Sequence, residues 1–180
     1  MEFNDVITGR RSVRRYRQDK VTEEQVDKIV SRARYAPSWK NTQTVRYTAV
    51  MDPDLKKEIA ETGVFGFKKN NGIINSAAVV MVVSTVRGIS GYDKDGSAST
   101  TKGGHWESFD AGIASYAFCL AAKEEGLGTC IMGLFDEKTI SSLIGLPENE
   151  SISALIALGV PDEDPDMPKR KETGEILRIK

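Results

Sequence analysis

The seven residues Ala77-Ala78-Val79-Val80-Met81-Val82-Val83 form an unbroken apolar run. A half-buried strand alternates polar and apolar side chains; this run does not alternate, so both of its faces need cover. Its shortness and β-branched content point to a central strand.

Helical segments on either side can supply the cover. A short helix is expected from Phe3 to about Gly9. Thr22-Glu23-Glu24-Gln25 has the form of a capping box, with Val21 and Val26 spaced for a hydrophobic staple. Val26, Ile29, Val30 and Ala33 then fall on one helical face, and Pro37 stops that helix. Thr44 to Met51 is β-branched and aromatic and reads as a strand. Asp52-Pro53 is a cap followed by a first-turn proline, which starts a helix running to about Glu61. Glu107 to Glu125 reads as a long apolar helix. Phe109, Ile113, Tyr116, Ala117 and Leu120 share one face, and Ala111, Gly112, Ala114, Ser115 and Ala121 keep the remainder narrow. Such a helix is expected to be buried and to approach another closely. Gly126 ends it. A strand at Thr129 to Met132, a helix capped by Asp136 and closed by Gly145, and a last strand from Ser153 to Val160 complete the pattern.

The expectation is an α+β fold, a mixed central sheet of four or five strands flanked by helices, in one domain over residues 1–180. The charged, proline-punctuated segment 161–180 is expected to be an arm. The Gly-, Ser-, Thr- and Lys-rich loop 87–104 is long for a compact domain and is taken as a lid over an active site.

Composition narrows the function. Twenty-five basic and 26 acidic residues leave a net charge of −1, which argues against a protein built for nucleic acid or an anionic membrane surface. No apolar run reaches membrane-spanning length. The N-terminus lacks a signal peptide's apolar core, and Glu2 and Asp5 are wrong for a transit peptide, so a cytoplasmic location is expected. Cys119 and Cys130 sit among apolar residues, as structural thiols do in a reducing compartment. With one histidine, His105, no metal-ligand spacing is present and no metal is expected.

Against this neutral background, Arg10-Arg11-Ser12-Val13-Arg14-Arg15-Tyr16-Arg17 packs five arginines into eight residues. Guanidinium forks bind phosphate with matched, often bidentate geometry. The competing reading is a solvated basic face balanced by Glu23, Glu24, Asp27, Glu124, Glu125 and Asp162-Glu163-Asp164. Catalytic side chains are scarce: there is no nucleophile elbow and no phosphate loop. Gly126-Leu127-Gly128 follows a helix where a dinucleotide fingerprint follows a strand. An enzyme of this composition leaves the hard chemistry to a cofactor.

Four segments in order carry a resemblance. They are Arg10-Arg11-Ser12-Val13-Arg14; Pro37-Ser38-Trp39-Lys40-Asn41-Thr42-Gln43; Phe109-Asp110-Ala111-Gly112-Ile113-Ala114 through Gly126-Leu127-Gly128-Thr129-Cys130-Ile131-Met132-Gly133-Leu134-Phe135; and Ala157-Leu158-Gly159-Val160-Pro161 followed by Pro168-Lys169-Arg170-Lys171. Over nearly its whole length the chain resembles the short, single-domain members of the nitroreductase family of FMN-dependent oxidoreductases. The resemblance implies an intertwined homodimer with FMN at the subunit interface. Arg10, Ser12 and Arg14 would hold the phosphate and ribityl chain, with Arg11 beside them, and Lys169 and Lys171 would close from the C-terminal side. Ser38 and Asn41 would come from the partner subunit. Gly133 and Leu134 would offer backbone near flavin N5 and O4, and Asn70 or Asn71 would reach the pyrimidine edge. Trp39, Phe67, His105 and Trp106 are the candidate substrate-pocket residues.

The implied reaction is ping-pong: NAD(P)H reduces the flavin, and a nitroaromatic, quinone or similar acceptor then oxidises it, with no catalytic side chain required. The chain has Thr44 where many relatives have proline, and Ser115 where many have glutamine. The Lys169-Arg170-Lys171 order leaves open which member meets the phosphate. Each candidate has a plainer reading. Arg11, Arg15 and Arg17 would make ion pairs, Trp39 would pack at a dimer interface, and Phe67 and Trp106 would pack in the core or lid. Two other functions fit the same resemblance. One is an FMN-binding or storage protein; the other is a reductive dehalogenase or flavin destructase, although the loop's Tyr92 and Lys94 do not complete a Glu-Tyr-Lys pattern.

Overall fold

The computed structural model describes residues 2–180. Four strands, β1 (Val45–Val50), β2 (Val79–Val86), β3 (Gly128–Met132) and β4 (Glu150–Gly159), form one sheet in the order β1-β2-β4-β3. All three pairings between them are antiparallel. Parallel pairing enters at the β3 edge, where Ser12 bridges Thr129.

The apolar run lies inside this sheet, and its period of two sorts the core. Val79, Met81 and Val83 face Ile29 and Ala33 of α2 (Glu23–Ala33) and Phe118, Cys119 and Ala122 of α5 (His105–Glu124). Val80 and Val82 face the opposite helical layer. That layer is Ile59 and Ala60 of α3 (Pro53–Thr62), Ile73 and Ile74 of α4 (Lys68–Ser76) and Ile140 of α6 (Glu137–Ile144). Each fully buried aliphatic side chain of this kind contributes about 1.5–3 kcal/mol. Among the described residues no helix is long and apolar enough to cross a membrane.

Local signals set the helix starts. In the capping box the Gln25 N–H donates to Thr22 Oγ1 at 3.2 Å and the Thr22 N–H to Gln25 Oε1 at 2.9 Å. Asp52 accepts from the Leu55 N–H at 2.8 Å, and Asp136 from the Thr139 N–H at 3.2 Å. The first helix, α1, spans Phe3–Gly9.

Two features differ from the sequence reading. The first is α4, which was not expected. Its sequence, Lys-Lys-Asn-Asn-Gly-Ile-Ile-Asn-Ser, is poor in helix formers and has no side-chain cap. Burial of Ile73 and Ile74 under the sheet holds it, which is tertiary packing overriding propensity. The second is the orientation of α5. Ala111, Ala114, Ser115 and Ala121, with Asp110, Phe118 and Cys119, are buried under the chain, while Gly112, Phe109 (58 % exposed) and Tyr116 (42 % exposed) face outward. The helix is therefore half covered by its own chain.

Segment 161–180 starts against the arginine segment, where Tyr16 bridges Pro161 and the Asp162 N–H donates to the Arg15 carbonyl at 3.0 Å, and then leaves the body of the fold. It carries one short helix, α7 (Thr173–Ile176), and every side chain from Asp166 onward is exposed, including Met167, Ile176, Leu177 and Ile179.

Candidate functional site

The arginine segment is seated on the sheet by a pair of glycines. Gly128 and Gly159 are register partners on β3 and β4. A Cβ on Gly128 would come within 2.8 Å of Val13, and one on Gly159 within 2.9 Å of Tyr16. The bare backbones leave a trough for these two side chains, and the chain is then pinned by hydrogen bonds. The Val13 N–H donates to the Thr129 carbonyl, and the Arg17 N–H to the Val160 carbonyl, both at 2.9 Å. Burial pushes the Tyr16 hydroxyl far above its usual range, so it stays protonated and donates to the Val13 carbonyl. With Val13 and Tyr16 turned inward, Ser12 and Arg14 turn outward.

The outward side chains surround a cavity of about 220 Å³ lined by Arg10, Arg11, Ser12 and Arg14, and by Asp166 and Arg170 from the tail. Among the described residues Arg10, Arg11, Arg14 and Arg170 form no ion pair within 4.0 Å, and the Arg10 guanidinium makes no hydrogen bond. Arg11 donates to the Thr8 and Arg10 carbonyls at 2.7 and 2.9 Å. Lys169 and Lys171 are exposed and do not line the cavity; Arg170 is the member of the triplet that does. The outer arginines are paired instead, Arg15 with Glu163 and Arg17 with Asp19, each at 3.3 Å. Glu163 also accepts the Arg14 N–H. Of the other acids, Glu124 and Glu125 bind Arg32 and Lys28, joining α2 to α5.

Further along β3 the chain brings together two more candidates. The buried Asn70 donates through Nδ2 to the Leu134 carbonyl at 3.0 Å, whereas Asn71 is turned inward to the Ala60 carbonyl at 2.8 Å. Gly133 and Leu134 follow the end of β3, and both are exposed. Phe67, also exposed, sits at the N-cap of α4, less than a turn before Asn70. From the Ser12 bridge at Thr129 to Gly133 the strand direction spans about 13 Å. Cys130 lies between. Burial raises its thiol, while nearby Arg14 and Lys69 pull the other way, so α4 and the arginine segment approach the same strand.

The remaining candidates gather elsewhere. Ser38 precedes a single 3-10 turn, Trp39–Asn41, and its hydroxyl accepts the Gln43 N–H at 2.9 Å. Lys40, Asn41 and Gln43 have φ of 44°, 54° and 52°. A non-glycine residue in such a conformation costs of the order of 1–3 kcal/mol, and such residues concentrate at functional sites. Trp39 lies 4.6 Å from Trp106 between ring centroids, and Trp106 lies edge-on to Phe109 at 5.4 Å. His105, exposed, is the first residue of α5. Among the described residues, Trp39 Nε1, Thr42 Oγ1 and Thr44 Oγ1 are buried without a hydrogen-bond partner. Asp110 underlies the cluster; sequence reasoning gave it no role, although it is the lone carboxylate in the small, apolar stretch of α5. A cavity of about 350 Å³ opens alongside, with Ser38, Tyr47, Asp110 and Ala114 among its walls. Burial pushes the Tyr47 hydroxyl up to about 12, and it donates to the Ala114 carbonyl at 3.1 Å.

Two groups of candidates therefore lie apart on one chain. Arg10, Ser12, Arg14, Asn70, Gly133 and Leu134 gather along β3. Ser38, Trp39, Asn41, His105 and Trp106 gather where the chain enters β1. The sheet order places β1 and β3 at opposite edges.

Comparison with known proteins gives a consistent result. An NADH dehydrogenase of Thermus thermophilus is 29 % identical over 178 residues, covering 86 % of this chain and 84 % of that protein. The crystal structure of a nitroreductase family protein from Clostridium novyi NT superposes with a TM-score of 0.78 at 28 % identity, covering 92 % of this chain and 89 % of the other. An NADPH:FMN oxidoreductase from Vibrio harveyi, solved in complex with NAD+, gives a TM-score of 0.80 at 25 % identity, covering 98 % and 76 %. The nitroreductase family model matches residues 7–63 and 64–160, nearly all of the sheet and both helical layers, and the chain belongs to the nitroreductase family.

Proposed function

We propose that this protein is an FMN-dependent oxidoreductase that uses NAD(P)H to reduce nitroaromatics, quinones or similar acceptors in a ping-pong cycle, at a site completed by a second copy of the chain. The observation that carries this reading is the cavity lined by Arg10, Arg11, Arg14 and Arg170 against a single carboxylate, Asp166, with which none of the four forms an ion pair within 4.0 Å among the described residues. Mutually repelling cations gathered this way fit a phosphate. Family membership and the flavin-dependent Vibrio harveyi relative make FMN the natural phosphate carrier.

Bound FMN would supply the hydride chemistry, accepting from NAD(P)H and passing reducing equivalents to the acceptor. The chain's own groups bind and orient it. Arg10, Arg14 and Arg170 neutralise the phosphate, and Ser12 adds a hydroxyl. Asn70, with Nδ2 engaged by Leu134, presents its carbonyl oxygen as an acceptor. The N–H groups of Gly133 and Leu134 have no backbone partner among the described residues, and such donors stabilise charge as it develops on a ring beside them. Protons can come from solvent, which fits the scarcity of acid–base side chains.

The two-chain site rests on the separation of the two candidate groups. Ser38 and Asn41 sit at the sheet edge away from β3, so they serve a flavin at β3 only if it belongs to a partner. The outward face of α5, with Phe109, Ile113 and Tyr116, provides an apolar surface for that partner, and the arm's exposed end beyond Arg170 can reach across. Segment 87–104 is proposed as the lid.

The purified protein should be yellow, with one FMN per protomer, and should oxidise NAD(P)H when an acceptor is added. Double-reciprocal plots at several acceptor concentrations should be parallel. A colourless protein whose Tm does not rise with FMN rejects the reading, and flavin binding without turnover leaves only a binding protein. Gly112 is open to solvent, with nothing within 4 Å of a Cβ built there. Gly112→Glu should therefore leave the protomer folded while lowering dimerisation and flavin retention together. A monomeric variant with native FMN affinity rejects the shared site.

A further inference from the structure

We propose that Asp110 is a positioning residue, a latch that holds loop 38–44 against segment 87–104 and thereby sets the Trp39–Trp106 wall of the acceptor site; its acceptor-site role rests on the oxidoreductase reading above. Asp110 is 2 % exposed. Its two oxygens accept the Trp39 N–H at 3.1 and 3.0 Å, and one also accepts the Ser90 hydroxyl at 2.7 Å. Ser90 is itself fully buried. One carboxylate thus bonds two segments about 50 residues apart in sequence.

Asp110 is not a helix cap. α5 begins at His105, so Asp110 is the sixth residue, past the turn whose N–H groups lack partners. Its hydrogen bonds go to other segments, and what they hold would not stay in place unaided. Lys40, Asn41 and Gln43 are left-handed without being glycine, and such a loop relaxes when its anchor is removed. The second segment is fitted closely to the same cluster. A Cβ on Gly91 would lie 2.3 Å from the Gly103 carbonyl and 2.9 Å from Trp106. Trp106 donates through Nε1 to Thr100 at 3.0 Å. An exposed Lys40–Asp93 pair at 3.3 Å makes a second, weaker tie between the segments.

The chain holds only two tryptophans, and they are the two rings of this wall. Their mutual geometry can be read directly from the exciton signal of the tryptophan pair in circular dichroism, with or without flavin. Asp110→Asn keeps the shape of the side chain but turns an N–H₂ toward donors. It should abolish the tryptophan-pair signal while the helical signal at low temperature persists. In the flavin-loaded enzyme it should raise the acceptor KM roughly tenfold, the scale of one charge-assisted hydrogen bond, with a smaller change in kcat. Ser90→Ala removes one donor only and should weaken the pair signal with a smaller rise in KM.

An unchanged tryptophan-pair signal in both variants overturns the latch, whatever the flavin content. If Asp110→Asn does not fold, Ser90→Ala decides alone: native pair signal and native KM overturn the proposal. Loss of the pair signal in a protein that binds no FMN upholds the latch and rejects the oxidoreductase reading, so the two failures are distinguishable.

Discussion

The arginine cavity on β3 is held in place by backbone, and the tryptophan cluster near β1 is held by side chains. Residues 12–17 are hydrogen-bonded through their own N–H groups to the Thr129 and Val160 carbonyls and seated on Gly128 and Gly159. Their register follows from strand pairing, so an individual arginine can change without moving its neighbours. Residues 38–43 have no such ladder, and backbone pairing to the sheet begins only at Thr44, whose carbonyl accepts the Val86 N–H at 3.0 Å. They adopt left-handed conformations, leave with Thr44 three buried polar atoms without partners among the described residues, and meet segment 87–104 through Asp110 and two rings. On the function proposed above, the difference would separate two jobs: a phosphate needs a fixed ring of charge, whereas an acceptor wall can be tuned by a few side chains on loops.

Four measurements can break or sharpen this comparison. Gly128→Val should have the largest effect. Its branched side chain would collide with Val13, and such overpacking costs about 3 kcal/mol. Thermal unfolding should show a lower Tm, and FMN should be lost while the tryptophan-pair signal is kept. If both regions fail together, they are not independent.

Arg10→Ala should weaken FMN binding by about 1–3 kcal/mol, roughly 5- to 150-fold in Kd. Because Arg10 forms no ion pair among the described residues, the Tm of the flavin-free protein should not fall. A titration of apoprotein with FMN checks the first statement, and a thermal melt the second.

Thr22→Ala removes a cap that belongs to neither region. It should lower stability by about 1 kcal/mol, equally with and without FMN. A flavin-dependent difference would tie α2 to the site.

The smallest effect concerns pH. The hydrogen bond from Lys28 holds the Glu125 carboxyl below its ordinary value of 4.5, with Arg32 adding to it. A depressed carboxyl pKa stabilises the fold above the unfolded value and loses that contribution as pH falls. The Tm gap between the native protein and Glu125→Gln should be constant above about pH 5 and close as pH drops through 4.5 and the lower folded value. Because the partners Lys28 and Arg32 are both open to solvent, the corresponding stability difference should be small, about 0.2–1 kcal/mol.

Elements with a local cause were legible in the sequence. The Thr22 box, the Asp52 and Asp136 caps, the αL Gly145 and the apolar β2 run all lie where short-range chemistry puts them. α4 was hidden because its helix is imposed by two isoleucines packing under a sheet. The outward turn of Phe109 and Tyr116 was hidden because helical periodicity shows that two faces differ, not which of them a sheet will cover. The candidate site divides similarly. The contiguous arginines announced themselves, while Arg170 and Asp110 did not, since neither stands near its partners in sequence.

By itself, then, the sequence determined where the four strands and most of the helices lie, that one strand is buried on both faces, and that five arginines crowd one short segment. Those properties depend on neighbours a few residues away or on composition. Only the tertiary structure decided which arginine of the tail meets the cavity and that Asn70 rather than Asn71 reaches Leu134. It also decided that two tryptophans 67 positions apart form one wall. Those outcomes depend on how sheet order and helix rotation bring distant residues within a few ångströms, and such contacts are fixed by packing in three dimensions rather than by spacing along the chain.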